Sequence, residues 1–495
     1  MGRMNFQLPT GLSESAIDAL PQSYVAGGHD RSPTQTLAAT HDNRLILDRD
    51  AGESGPVWIP WEIPKFGQLI TPTGSLMERP RPYYLPLELI RGKLNGVRNQ
   101  YADWVTGGLT ISPQIEGTIR RAIRAMNDTI LDSTTNPNPA RSAEALTLAF
   151  TAAEEMVAAY QDQVFRMRHQ RQPKFDSTLG CRLGRVPPRG LDDVFRLTFN
   201  SVCIPLTWRQ IEPTQSNFRW EEADAMVAWA AERNFRVHAG PLIDFSERGL
   251  PDYVLKGDND PVTLKSLICD YVETVVTRYR GKVGKWLITA GANGSNVMRL
   301  TEEDLIRLSA MAADCAWQID SNLSVTLGIA QPWGEYMTKP PFEFSAWVYA
   351  DTLLRAGLPF AGLDLEMCFG SGPRVSYARD LLETSKQLDL FGLLGVPLQV
   401  TAAFPASRLP DSNAERGDPL GSHGTYKDFS SAGQADWAGA FASLALCKSF
   451  VNGVTWDNFS DADPHRYANS GLVDARGMIR PALDRLRELR DKHLR

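Results

Sequence analysis

From residue 173 onward, short apolar runs alternate with longer segments that repeat every three to four residues. The runs fall at 178–183, 200–205, 236–243, 285–290, 324–330, 361–367, 398–403 and 453–457, most of them separated by a helix-sized stretch. A strand that returns beside a parallel neighbour needs a crossover of a dozen or more residues, which a helix supplies. Eight such units predict an α/β fold, a (β/α)8 TIM barrel over 173–495. No glycine-rich phosphate loop follows the first run, which argues against an open nucleotide-binding sheet.

The first 172 residues have a different texture. Residues 1–42 are rich in Ser, Thr, Gly, Asp and Pro without a sustained period, and read as a flexible N-terminal arm. Short β-like runs follow at 44–47 and 57–61. Three helical patterns come next. The first opens at Pro86, a residue suited to the first turn, and carries Leu87, Ile90, Leu94, Val97, Tyr101 and Trp104 on one stripe. The second begins after Ser112 and the third spans 141–169. Residues 43–172 are therefore expected to form a smaller strand-plus-helix domain, to which the sequence assigns no role.

Composition removes several classes of function. A net charge of −6 on 495 residues, with no long basic block, excludes a phosphate-backbone grip, so nucleic acid is not an expected partner. The six cysteines are scattered, with no Cys-x-x-Cys and no histidine at ligand spacing. They are expected as small buried thiols, with no metal set and no cofactor motif. The start lacks an apolar signal core and no run reaches the length of a membrane span, so the expectation is a cytoplasmic protein that does not meet the membrane. Oligomeric state is not legible.

Within the barrel segment, Phe199-Asn200, Trp208, Glu212-Pro213, Phe218-Arg219-Trp220 and Asp224 stand in an order that resembles glycoside hydrolase family 10, the xylanase family. Arg278-Tyr279, Trp286, Gly362-Leu363-Asp364-Leu365-Glu366, Gly453-Val454-Thr455-Trp456, Gly471-Leu472-Val473-Asp474 and Pro481-Ala482-Leu483 continue it. The resemblance covers the barrel, roughly 175–490, and implies a polysaccharide or oligosaccharide partner. It also implies a general acid/base glutamate at the end of the fourth strand and a nucleophilic glutamate at the end of the seventh. The matching dipeptides here are Ala290-Gly291 and Thr401-Ala402. Thr207 replaces a lysine, Gly240 and Asp244 fall on a His and a Trp that help hold the sugar, and Glu366 and Cys368 replace a Gln and a His. Trp456 matches a tryptophan that walls the sugar site.

Two carboxyl groups about 5–5.5 Å apart serve a retaining glycosidase, and about 6.5–9.5 Å an inverting one. No carboxyl lies between Gly284 and Leu300 or between Leu398 and Pro410, so no small slip in alignment restores the pair. Carboxyls remain at other predicted strand ends: Asp244 and Glu247 after the third, Glu335 after the fifth, Glu366 in the sixth, Asp457 and Asp461 after the eighth. Each reads either as part of a relocated acid/base pair or as a loop carboxylate paired with an arginine. Glu366, inside an apolar strand, stands out, because a buried carboxylate requires a partner. Trp333, Tyr336, Phe369, Trp456, Phe459 and Tyr467 cluster in the same loops, as sugar-stacking faces or as packing. His238 reads as a core or rim histidine.

Three functions follow. The first is a glycan-binding barrel with the family's double displacement lost, with Trp456, Glu366, Asp244, Trp333 and Asp461 on the sugar. The second is an active O-glycosyl hydrolase with carboxylates relocated to Glu335, Glu366, Asp457 or Asp461. The third is a non-enzymatic scaffold assembled through its N-terminal domain.

Overall fold

The computed structural model describes residues 2–50, 52–135, 137–257, 260–295, 297–416 and 424–495. Eight strands precede the barrel: β1 Gly2–Gln7, β2 Tyr24–Gly27, β3 Ser32–Pro33, β4 Leu37–His41, β5 Arg44–Arg49, β6 Gly55–Ile63, β7 Gly67–Leu76 and β8 Tyr83–Tyr84. They form two four-stranded sheets, ordered β4-β5-β1-β8 and β3-β2-β6-β7. The expected flexible arm is therefore corrected. Met4 and Phe6 alternate with more exposed neighbours, lie opposite Leu47 and Leu45 of β5, and are fully buried. Their two-residue period is short, and the polar residues around it belong to turns between strands.

Three long helices, Leu85–Thr106, Pro113–Thr135 and Pro139–Arg171, connect these sheets to the barrel. The apolar stripe of the first, through Leu94, Val97 and Trp104, joins a core cluster that continues into the barrel. A buried ion pair strengthens that junction: Lys93 Nζ lies 2.5 Å from a carboxylate oxygen of Asp380, which also caps helix Leu381–Gly392.

The barrel strands are β9 Thr178–Arg182, β10 Ser201–Ile204, β11 Arg236–Ala239, β12 Ile243–Asp244, β13 Lys285–Ala290, β14 Val325–Ala330, β15 Gly362–Cys368, β16 Leu398–Ala403 and β17 Val451–Trp456. All neighbours are parallel, β17 pairs with β9, and β11 and β12 both pair with β13, so the sheet closes as a (β/α)8 barrel. The third position is split because Pro241 has no N–H to donate and Gly240 takes φ +122°. A Cβ on Gly240 would lie 2.1 Å from the Leu287 carbonyl oxygen, so the bend admits only glycine.

The cysteine expectation is corrected in part. Helices Pro261–Tyr279 and Glu302–Ile319 lie side by side, and Cys269 is disulfide-bonded to Cys315. Their spacing of 46 residues carries no motif, and only the helix pairing brings them together. Cys181, Cys203, Cys368 and Cys447 are buried thiols. Among the described residues no helix is long and apolar enough to cross a membrane.

Candidate functional site

The mouth of the barrel, at the C-terminal ends of the strands, holds a connected row of charges. Arg374, on the loop after β15, is bidentate to two carboxylates. Its Nη1 and Nη2 donate to Asp244 at 2.7 and 3.3 Å, and its Nε and Nη2 donate to Glu366 at 3.1 and 3.4 Å. Arg466 donates to Glu366 at 2.9 Å and, through Nε and Nη2, to Asp457. Arg182, ending β9, donates to Asp457 at 3.0 Å and to the Gly240 carbonyl at 2.9 Å. The row thus runs Asp244, Arg374, Glu366, Arg466, Asp457, Arg182. Three carboxylates face three guanidiniums, and no side chain among them is more than 15% exposed.

Burial alone would raise the Glu366 pKa, but Arg374 and Arg466 overcome it and hold this carboxyl at about 2. Burial opposes the charge on both arginines as well, and their carboxylate partners nonetheless raise each well above its ordinary value. Glu366 is thus an anion at any physiological pH and has no proton to give. One layer deeper in β15, Asp364 behaves differently. Burial pushes its carboxyl up to about 6, against a hydrogen bond of 2.8 Å from the Thr401 hydroxyl.

Gly291 follows β13 with φ +71°, and a Cβ built on it would stand 2.6 Å from Arg374 Nη1 and 2.9 Å from Cζ. The guanidinium thus occupies the space that a side chain at 291 would claim. Ala402, near the end of β16, is fully buried opposite Met367 and Trp456.

The other expected site residues lie elsewhere. Glu335 sits where the N-terminal sheets meet the barrel: Arg379 Nη1 donates to it at 2.5 Å, and the same arginine reaches Tyr24 Oη at 2.8 Å. Asp461 is held under the loops by Arg480 at 2.7 Å, the Gly471 amide at 2.7 Å and Asn458 at 2.9 Å. His465 stands 3.0 Å from Asp411 and 3.6 Å from Asp461. The row therefore brings together Asp244, Glu366 and Asp457, and leaves Glu335 and Asp461 in other networks.

The stacking expectation is corrected. Trp456 is 1% exposed, with its Nε1 donating to the Ser470 carbonyl at 2.8 Å and its ring against Trp437 of helix Ser431–Cys447. Trp333 is buried under the Arg379 guanidinium, 4.5 Å from the ring centroid, and Phe369, Phe459 and Tyr467 are buried too. These rings seal the loops from below.

What remains open at the mouth is a polar trough. Two adjoining cavities of about 780 and 290 Å³ share Thr207, Gln210, Asp244 and Arg466, and extend to Asn413 on one side and Asn458 on the other.

The row's arginines are not among the candidate residues that the sequence suggests. Arg182 ends an apolar strand, a position where charge is unusual and noticeable. Arg374 and Arg466 lie in loops without any period, and no local pattern marks them.

Part of the barrel is similar to known proteins. The glycosyl hydrolase family 10 profile matches residues 191–292, from the helix before β10 to the turn that contains Gly291. The barrel is family 10-like. Endo-1,4-beta-xylanase A of Fusarium oxysporum f. sp. lycopersici is 32% identical over 81 residues, which cover 16% of this chain and 24% of that protein. Endo-1,4-beta-xylanase C of Paenibacillus barcinonensis is 34% identical over 82 residues, 15% of this chain and 7% of that protein. The chain therefore spans a quarter or less of the length of these two relatives. Among solved structures, xylanase 10B from Thermotoga maritima aligns over 64% of this chain and 95% of its own, at 16% identity and a TM-score of 0.48. The matched segment of the family 10-like barrel carries Trp208, Glu212, Asp224 and Trp286, the residues on which the resemblance first rested.

Proposed function

We propose that this family 10-like barrel binds a β-linked oligosaccharide or polysaccharide at its mouth and does not run the family's double displacement. The observation that carries the reading is Arg374. It fills the space beside Gly291 and ties up Asp244 and Glu366, while Arg466 and Arg182 tie up Asp457. Double displacement needs one carboxyl that is protonated and one free to attack. The positions that match the family's pair carry no carboxyl, and Asp244, Glu366 and Asp457 are clamped between guanidiniums. Without the family's proton donor and nucleophile at these positions, binding is the role this reading gives the mouth.

The polar trough supports the saccharide half of the reading, as do the relatives named endo-1,4-beta-xylanase. Thr207, Gln210, Asn413 and Asn458 offer donors and acceptors to sugar hydroxyls, and the outer edges of Arg466 add charge-assisted bonds. With Trp456 and Trp333 buried, hydrogen bonding takes the place of ring stacking. We also take the Cys269–Cys315 bridge as support for an oxidising compartment, in place of the cytoplasm expected from the sequence.

The test is calorimetric titration with xylo-, cello- and manno-oligosaccharides, alongside a sensitive assay on xylan and aryl-xylosides. Binding that is weakened in Asn413→Ala, with no turnover, is the expected result. Hydrolysis with retained anomeric configuration in highly purified protein would overturn the non-hydrolytic half. Absence of binding at millimolar concentration would overturn the glycan half and favour the scaffold.

A further inference from the structure

A separate cavity of about 670 Å³ lies at the opposite end of the barrel, beneath the N-terminal ends of its strands. Its charged walls come from four parts of the chain. Arg168 belongs to the last turn of helix Pro139–Arg171, Asp176 to the lead into β9, Arg236 and His238 to β11, and Lys282 and Lys285 to the approach and start of β13. His238 and Lys285 are register partners on adjacent parallel strands, so their side chains leave the sheet on the same side. Among the described residues neither side chain has a hydrogen-bond partner, and both line the cavity.

The other cations are positioned by the chain. Arg168 donates to the Leu446 and Cys447 carbonyls and lies 4.1 Å from the Phe175 ring centroid. Arg236 donates to the Asp176 carbonyl at 2.6 Å. Against four formal positive charges the lining holds one carboxylate, Asp176, shared between Arg236 at 3.9 Å and Arg495 at 3.1 Å. Asp364 acts on Lys285 from deeper in the barrel. The excess charge is felt by its owners. Burial first, then Lys285 and Arg236, press the His238 pKa down to about 3, and burial also lowers that of Lys285.

We propose that this basal cavity binds a small multivalent oxyanion, the phosphate or carboxylate groups of a small molecule, held by Lys285, Arg236 and Arg168. Its volume is that of a small-molecule site. Forked guanidiniums and a point-charge ammonium are the donors that grip such anions best. The proposal also gives the long helix Pro139–Arg171 a part in binding, since it supplies one of the three cations. It is independent of what happens at the mouth.

The probes are inorganic phosphate and citrate, titrated into the full chain at constant ionic strength with chloride as the balancing ion. The readout is the His238 ring resonance by NMR, assigned by its loss in His238→Asn. The expected result is a saturable shift with phosphate or citrate and none with chloride, and an anion-bound His238 pKa raised above its depressed free value. Both Lys285→Met and Arg236→Gln should weaken the midpoint by about tenfold or more. Arg236 is half-exposed, so its variant leaves the barrel interior intact. Tighter citrate than phosphate marks a carboxylate ligand and the reverse a phosphate ligand, and either order supports the site. No saturable shift with either anion up to about 50 mM, a limit weaker than about 2 kcal/mol of binding, overturns it. So does an unchanged midpoint in both variants.

Discussion

Replacing Glu366 with Gln removes one negative charge from the centre of the arginine–carboxylate row. The lowering of its pKa from an ordinary 4.5 to about 2 measures how much the folded protein prefers the anion. At about 1.4 kcal/mol per tenfold, that preference is about 3 kcal/mol at neutral pH. The figure agrees with the 3–5 kcal/mol, roughly, that breaking a buried ion pair costs when its partner stays charged. The sign follows from the direction. A carboxyl whose folded pKa is depressed contributes stability that is full above its unfolded value and is lost as pH falls through its folded value. The deficit of Glu366→Gln should therefore be about 3 kcal/mol at pH 7 and roughly half of that at pH 3. Urea unfolding of both proteins, followed by tryptophan fluorescence at each pH, checks it. Equal deficits at pH 7 and pH 3, or a deficit at pH 7 below about 1 kcal/mol, would refute the claim that two guanidiniums hold this carboxylate.

Gly291→Glu should not restore hydrolysis and should destabilise by about 1–3 kcal/mol, since φ is positive and Arg374 occupies the space. Adding Arg374→Ala should relieve the clash but not the backbone strain, and thermal melts of the single and double variants would show it. Reduction of Cys269–Cys315, or Cys269→Ser, should cost about 4 kcal/mol for a closed loop of 46 residues, read as a lower melting temperature with reductant. His465 has its pKa raised: burial opposes the charge, but Asp411 and Asp461 outweigh it. Its contribution is therefore full below about 6.5 and fades as pH rises through its higher folded value. Asp411, held at about 2 against burial by His465 and two backbone amides, contributes in the opposite sense and is lost on acidification towards pH 2. Hydrogen exchange at Asn413 and Asn469 should accordingly be slowest between these limits, and His465→Asn should flatten the alkaline side.

The barrel was legible because its strands are buried on both faces and read as unbroken apolar runs, with predicted and observed limits differing by one or two residues at most ends. The N-terminal sheets were not, because β1 and β2 are short and lie among turn residues, and their partners are strands such as β5 and β6, many residues away. At the mouth, Glu366 was legible for a physical reason, a carboxylate inside an apolar strand. Its partners were not, since Arg374 and Arg466 reach it from loops 8 and 100 residues away. Trp456 misled because a sequence match fixes a strand position but not what covers it, and here Trp437 does.

Closure of the barrel between β9 and β17 also sets an order on how the chain can assemble. Residues 178–181 of β9 pair with 453–456 of β17, so this seam cannot form until β17 has left the ribosome. The two N-terminal sheets and the three long helices are complete by Arg171 and can form while synthesis continues. Until the last strand arrives, β9 presents a free edge of unpaired amides and carbonyls, ready to pair with another chain. Late closure of this kind makes folding slow and yields of refolded protein sensitive to concentration. A chain cut short anywhere before residue 451 leaves that edge open for good.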